Sequence, residues 1–119
     1  MIYRRKYLGG TFISCVGANA FMKAVKWVRK PAFKSLKNSK RFDIPASISE
    51  IAELSKPFIS LGNQYGEGWF LTGEMVELIK TGVPNIVCVQ PFACLPNHVV
   101  GKGAIKVIRK AYPNANIVL

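Results

Sequence analysis

Cys94 and His98 are the residues of this 119-residue chain best suited to chemistry. They stand in segment 85–103, NIVCVQPFACLPNHVVGKG, where an apolar strand-like run leads into a turn bracketed by Pro91 and Pro96. A helix-like run follows, with Asn97 and His98 at its start and Gly101 and Gly103 inside it. A thiol just past a strand, facing a helix start, sits where α/β proteins hold ligands and clusters. Helix starts favour the thiolate, the form that binds iron or zinc or attacks an electrophile. His98 offers a ligand or an acid–base partner, against the plainer role of a histidine bonded to its own backbone. One Cys and one His cannot complete a four-ligand metal site, so further ligands would come from elsewhere.

A second candidate is the run Gly62-Asn63-Gln64-Tyr65-Gly66-Glu67-Gly68. Glycines between a strand and a helix let backbone N–H groups approach an anion. The spacing is neither GxGxxG nor a P-loop, the Lys-Ser/Thr pair is missing, and Glu67 opposes an anion. A tight turn needing positive φ is the plain alternative. Gly62, Asn63, Gln64, Gly66, Glu67 and Gly68 are nonetheless candidate ligand-binding residues, together with Asn97 and His98. Cys88 lies within the apolar run and reads as a small core residue. Cys15 reads as structural, and Glu74 and Glu77 as solvated.

The elements that position these residues follow from periodicity. Apolar Phe21, Val25 and Val28 recur at helical spacing over 16–30 with lysines on another face, which predicts a helix that packs those three inward and ends at Pro31. Residues 32–41 read as a basic loop. Ser47-Ile48-Ser49-Glu50 has capping-box spacing and predicts a short helix from Ser47 to Pro57. The pattern then alternates: strand 58–61, glycine loop, helix 69–80 stopped by Gly82, strand 85–90, helix 98–111, strand 116–119. Such alternation predicts a three-layer α/β fold with a parallel, Rossmann-like or flavodoxin-like sheet over 44–119, after a basic helix and linker over 1–43. A chain that stops inside a strand predicts a partial domain. The two candidate motifs both follow strands, so they are expected at one sheet edge, with Cys94 near the 62–68 loop.

Composition narrows the partners. The net charge of +11 arises wholly within residues 1–42, which hold eleven bases and no acid; the remainder is balanced. Such a block attracts nucleic acid, an anionic membrane surface or an acidic partner, or is simply a solvated face. No nucleic-acid motif accompanies it and no run reaches the ~20 apolar residues of a membrane span, so nucleic acid and membrane are not expected as partners. Three irregularly spaced cysteines fit a reducing, cytoplasmic compartment. The basic opening, apolar 8–18 and Ala18-Asn19-Ala20 mimic a secretory leader. Glycines dilute the apolar stretch, however, and its periodicity runs past the supposed cleavage point.

GNQYGEGWFLTGEMVELI and GVPNIVCVQPFACLPNHVVGKGAIKVIRKAYPNANIV resemble the C-terminal region of CoA-substrate-specific enzyme activases, proteins of anaerobic metabolism related to activators of 2-hydroxyacyl-CoA dehydratases and benzoyl-CoA reductase. The resemblance implies a piece of a system that couples ATP hydrolysis to low-potential electron transfer through [4Fe–4S] clusters. It implies that Cys94, followed by Pro96 and Gly101, is a cluster ligand in the full assembly, with no cluster in this chain alone. The implied partners are the rest of the activase or dehydratase-like protein and a dehydratase subunit. The chain has no ATPase phosphate motif, so no independent catalysis is expected. The alternative is an α/β module that binds CoA, a nucleotide or a protein subunit without a cluster.

Overall fold

The structure, a computed structural model, describes residue 9 and residues 11–119. Its contacts divide the chain into two compact units, Met1–Pro45 and Ala46–Leu119.

In the first unit the described element is a long helix, α1, Phe12–Lys37. Thr11 caps it, its hydroxyl accepting from the Ser14 N–H at 3.4 Å. The expected stop at Pro31 does not occur, and the loop expected from residue 32 is helical. A proline forfeits one main-chain hydrogen bond and crowds the preceding turn. Here Ala32, Lys34, Leu36 and Lys37, all strong helix formers, carry the helix onward. The inward packing expected of Phe21, Val25 and Val28 is also not found. No described residue of α1 is buried; Phe21 and Val28 are 67% and 68% exposed, and Val25 is half-buried.

The second unit opens with α2, Ile48–Ser55. Its capping box is the expected one: the Glu50 N–H donates to Ser47 Oγ at 3.3 Å, and the Ser47 N–H donates to Glu50 Oε2 at 2.6 Å. The strand expected at 58–61 is instead a turn that closes back on α2, with the Phe58 and Ile59 N–H groups both 3.0 Å from the Ser55 carbonyl. A short apolar run signals burial before it signals a strand. Phe58 obtains that burial by packing on the core and against Tyr112, ring centroids 6.2 Å apart.

Helix α3, Trp69–Lys80, buries Thr72, Gly73, Met75 and Val76. Gly73 brings it against α2, since a methyl group there would meet the Ile51 side chain and carbonyl. The C-terminal stop is a glycine at φ +91, Gly82. Its N–H donates to the Ile79 carbonyl at 3.2 Å and that of Val83 to the Leu78 carbonyl at 2.8 Å, the paired bonds of a Schellman motif.

Strands β1, Asn85–Val87, and β2, Asn116–Val118, pair in parallel, with Ile86 opposite Ile117. Between them run a π-helical segment, Asn97–Lys102, and α4, Gly103–Ala111, which makes a βαβ unit. Ile86 and Ile117 face a core of Met75, Val76, Ile105 and Ile108. Val87 and Val118, on the other sheet face, are exposed. Within the second unit the core lies against the Ile86/Ile117 face of this two-stranded sheet. The alternation of side chains along a three-residue strand allows one inward residue each, and both strands use it for isoleucine.

Candidate functional site

The Cys94 turn is built by Pro91, Phe92, Ala93 and Cys94. The Cys94 N–H donates to the Pro91 carbonyl at 3.1 Å. Closing this turn puts Ala93 at φ +60, the left-handed region that glycine favours, and Ala93 is the only non-glycine residue so placed among the described residues. Cys94 then stands at the mouth of a helix. Its carbonyl accepts from the His98 N–H at 3.2 Å, and His98 Nδ1 lies 3.0 Å from the same oxygen. A carbonyl only accepts, so that contact places the proton on Nδ1. His98 thus makes a backbone contact through one of its two ring nitrogens.

The group that meets the sulfur is Asn97. Its Nδ2 donates to Cys94 Sγ at 3.1 Å, and Asn97 itself is buried. Gln90 Nε2 donates to the Asn97 backbone carbonyl at 3.2 Å, and buried Thr72 Oγ1 donates to the Val100 carbonyl at 3.2 Å. A π-helical turn is wider than an α-helical one, and such turns mark functional sites. Here two side chains from other elements hold its carbonyls. Sequence reasoning assigned neither Gln90 nor Thr72 to the site. The available signal was polarity: Gln90 ends an apolar run, and Thr72 interrupts the apolar face of α3.

The glycine loop is internally tied. The Asn63 N–H and Nδ2 both donate to the Ser60 carbonyl, at 3.1 and 3.0 Å, and Gln64 Nε2 donates to the Leu61 carbonyl at 3.0 Å. The Gly62 N–H donates to Ser60 Oγ at 3.2 Å, and the Trp69 N–H closes the loop on the Asn63 carbonyl at 2.8 Å. Gly66 and Gly68 take φ +61 and +53, so the tight-turn alternative describes this geometry. A methyl group on Gly68 would overlap the Asn63 carbonyl. One on Gly66 would stand 2.8 Å from Pro96 Cγ. The two segments come together at Gly66 and Pro96, but not at the shared sheet edge expected of them, because the glycine loop follows a turn rather than a strand. Asn63 and Gln64 use these side-chain donors within the loop, and Glu67 is exposed.

Cys94 is half-buried, and the turn's apolar side chains, Phe92 and Leu95, project into solvent. Cys88, expected in the core, is also half-buried; it lies just past β1 with its sulfur beside Gly101, 3.8 Å from where a methyl group there would sit. Its N–H extends the ladder, donating to the Val118 carbonyl at 2.7 Å. Among the described residues no three His, Cys, Asp or Glu side chains stand together to hold a metal ion. What the site offers is one reachable thiol with an amide donor on its sulfur, on a turn of left-handed strain beside an apolar surface.

No protein-family model, curated protein or solved structure matches the chain. Among the described residues, no helix is long and apolar enough to cross a membrane.

Proposed function

We propose that this chain is the α/β portion of a CoA-enzyme activase-type protein, related to the 2-hydroxyacyl-CoA dehydratase activators, and that it presents Cys94 as one ligand to a [4Fe–4S] cluster. The observation that carries the reading is the hydrogen bond from Asn97 Nδ2 to Cys94 Sγ. Donors to sulfur are a principal means by which proteins tune iron–sulfur sites. The donor set fits one corner of such a cluster, with the other cysteines supplied from outside these residues. When bound, a cluster of this kind supplies low-potential one-electron transfer.

The chain's own residues position and shield. The Pro91–Cys94 turn presents the thiol at a helix start, Asn97 holds the sulfur, and Gln90 and Thr72 fix the helix behind it. Exposed Phe92 and Leu95 provide an apolar rim that a covering subunit would bury, removing water from the sulfur. Free cysteines suit a reducing, cytoplasmic setting.

The test is anaerobic iron–sulfur reconstitution of the whole protein that carries this sequence, with Cys94→Ser and Cys88→Ser compared. Cys94→Ser is expected to lower bound iron and electron transfer, and Cys88→Ser to lower stability with iron retained. Full iron content and activity in the Cys94 variant would replace this reading with that of an apolar docking turn without a cluster.

A further inference from the structure

The face pattern of helix α1 is unlike that of a core helix. At about 100° per residue, Lys23, Lys26, Lys30, Lys34 and Lys37 fall within an arc of about 80°. No acidic residue lies anywhere along it. The rest of the circumference, about two-thirds of it, is mainly apolar: Phe21, Met22, Val25, Val28, Ala32 and Leu36 line it, with Arg29 between Leu36 and Met22 its one charged residue. Trp27 and Phe33 stand at its two borders with the lysines. Trp27 is 70% exposed, and the Arg29 guanidinium stacks over the Phe33 ring at 5.0 Å.

We propose that α1 is a membrane-surface helix that lies in the headgroup region of an anionic bilayer. The occupant is chosen by charge and by the width of the apolar arc. Five aligned lysines without an acid give one long positive stripe, complementary to phosphatidylserine-type headgroups. Nucleic acid would answer the stripe but leave the apolar arc in water. A paired helix would cover only a seam of about two positions in seven, and the apolar arc is far wider. An interface helix uses all of it: the apolar centre enters the acyl boundary, the border aromatics sit at headgroup level, and the lysine stems reach up to phosphates. The sequence argued against a membrane partner because no run is long and apolar enough to span a bilayer, but a helix lying on the surface needs no such run. The structure leaves Phe21 and Val28 exposed.

The experiment uses the full chain and vesicle flotation, with phosphatidylcholine vesicles compared against phosphatidylcholine containing phosphatidylserine. The expected result is flotation with the anionic vesicles only, reversed by raised salt, together with a blue shift of fluorescence that Trp27→Phe abolishes. Replacing the five lysines with glutamine is expected to weaken binding by about tenfold or more. Phe21→Ser with Val28→Ser is expected to remove the blue shift while the lysines remain. The salt titration needs no substitution, so it decides the matter even where a variant misfolds. A chain that stays unbound with both vesicles at low salt overturns the proposal. So does duplex DNA binding that matches vesicle binding and ignores Phe21→Ser/Val28→Ser, or a stable dimer that shields Trp27 in solution.

Discussion

Asn97 and Cys94 form a side-chain pair across 3.1 Å, amide nitrogen to sulfur, at the point where the chain enters a π-helical turn. The pair separates Cys94 from the other two thiols, Cys15 and Cys88, for which no such donor is found among the described residues. Asn97→Asp keeps the side chain's size and replaces the donor with a negative group beside the sulfur. A nearby negative charge disfavours the thiolate, which is the reacting form. Alkylation of Cys94 is expected to slow several-fold, with Cys15 and Cys88 unchanged, as read by peptide mass spectrometry. Equal slowing at all three positions would show that the effect is not local.

Gly66 and Gly68 are expected to respond differently to a methyl group. Gly68→Ala must overlap the Asn63 carbonyl while holding φ +53, so the loop cannot keep its shape; a loss of about 3 kcal/mol or more is expected in urea unfolding. Gly66→Ala meets the ring of Pro96 at 2.8 Å, and a proline ring can yield a little. Its expected cost is about 1–2 kcal/mol, chiefly the left-handed backbone. Because that contact bears on the Cys94 turn, Gly66→Ala should also alter the alkylation rate of Cys94. An unchanged rate would mean that the loop and the turn are mechanically independent.

Ala93 holds a conformation that costs an L-residue about 1–2 kcal/mol relative to glycine. Ala93→Gly relieves it but gives the unfolded chain more freedom, worth about 0.4–1 kcal/mol in the opposite sense. A net stabilisation of about 0.5 kcal/mol is expected from thermal or urea unfolding. A net loss would show that the Ala93 methyl group makes a contact that outweighs the strain.

The elements legible in the sequence were those with local, self-sufficient signals. Ser47 and Glu50 form a cap from four consecutive residues, and Gly82 ends α3 because only its own backbone must turn. Ile86 and Ile117 could be read as strand residues from their neighbours, and their parallel pairing from the helix between. What was not legible depended on partners distant in sequence or on competing terms. Pro31 argued for a helix end, but its local penalty lost to the helix formers on both sides. Phe58 and Ile59 looked like a strand because burial and strand share one signal in a short run. At the site, Cys94 and the loop were visible as unusual residue types. Gln90 and Thr72 were not, because their roles come from carbonyls that the π-helical turn presents.

Two glutamates give opposite pH signatures on the same fold. The Ser47 backbone N–H, and then its hydroxyl, hold the Glu50 carboxyl below the usual carboxylate range. Burial, and then the neighbouring Glu77, push the Glu74 carboxyl up. A depressed carboxyl contributes stability that is present above the unfolded value of about 4.3 and is lost as pH falls through the folded one. A raised carboxyl does the reverse: its favourable contribution is present below the unfolded value and is lost as pH rises through the folded one. Glu50→Ala is therefore expected to lower Tm at pH 7, with the gap to the unsubstituted chain narrowing as pH falls below about 4. Glu50→Gln can keep the capping geometry without the charge, so its Tm should depend less on pH in this window. Glu74→Gln is expected to raise Tm slightly at pH 7 and to match the unsubstituted chain in acid. Ser47→Ala should cost about 1 kcal/mol at pH 7, because it removes the hydroxyl that caps the Glu50 N–H. Thermal melts of the four variants across acid and neutral pH decide the matter. A Glu50→Ala deficit that stays constant down to strong acid would assign the effect to helix propensity rather than to the charged cap.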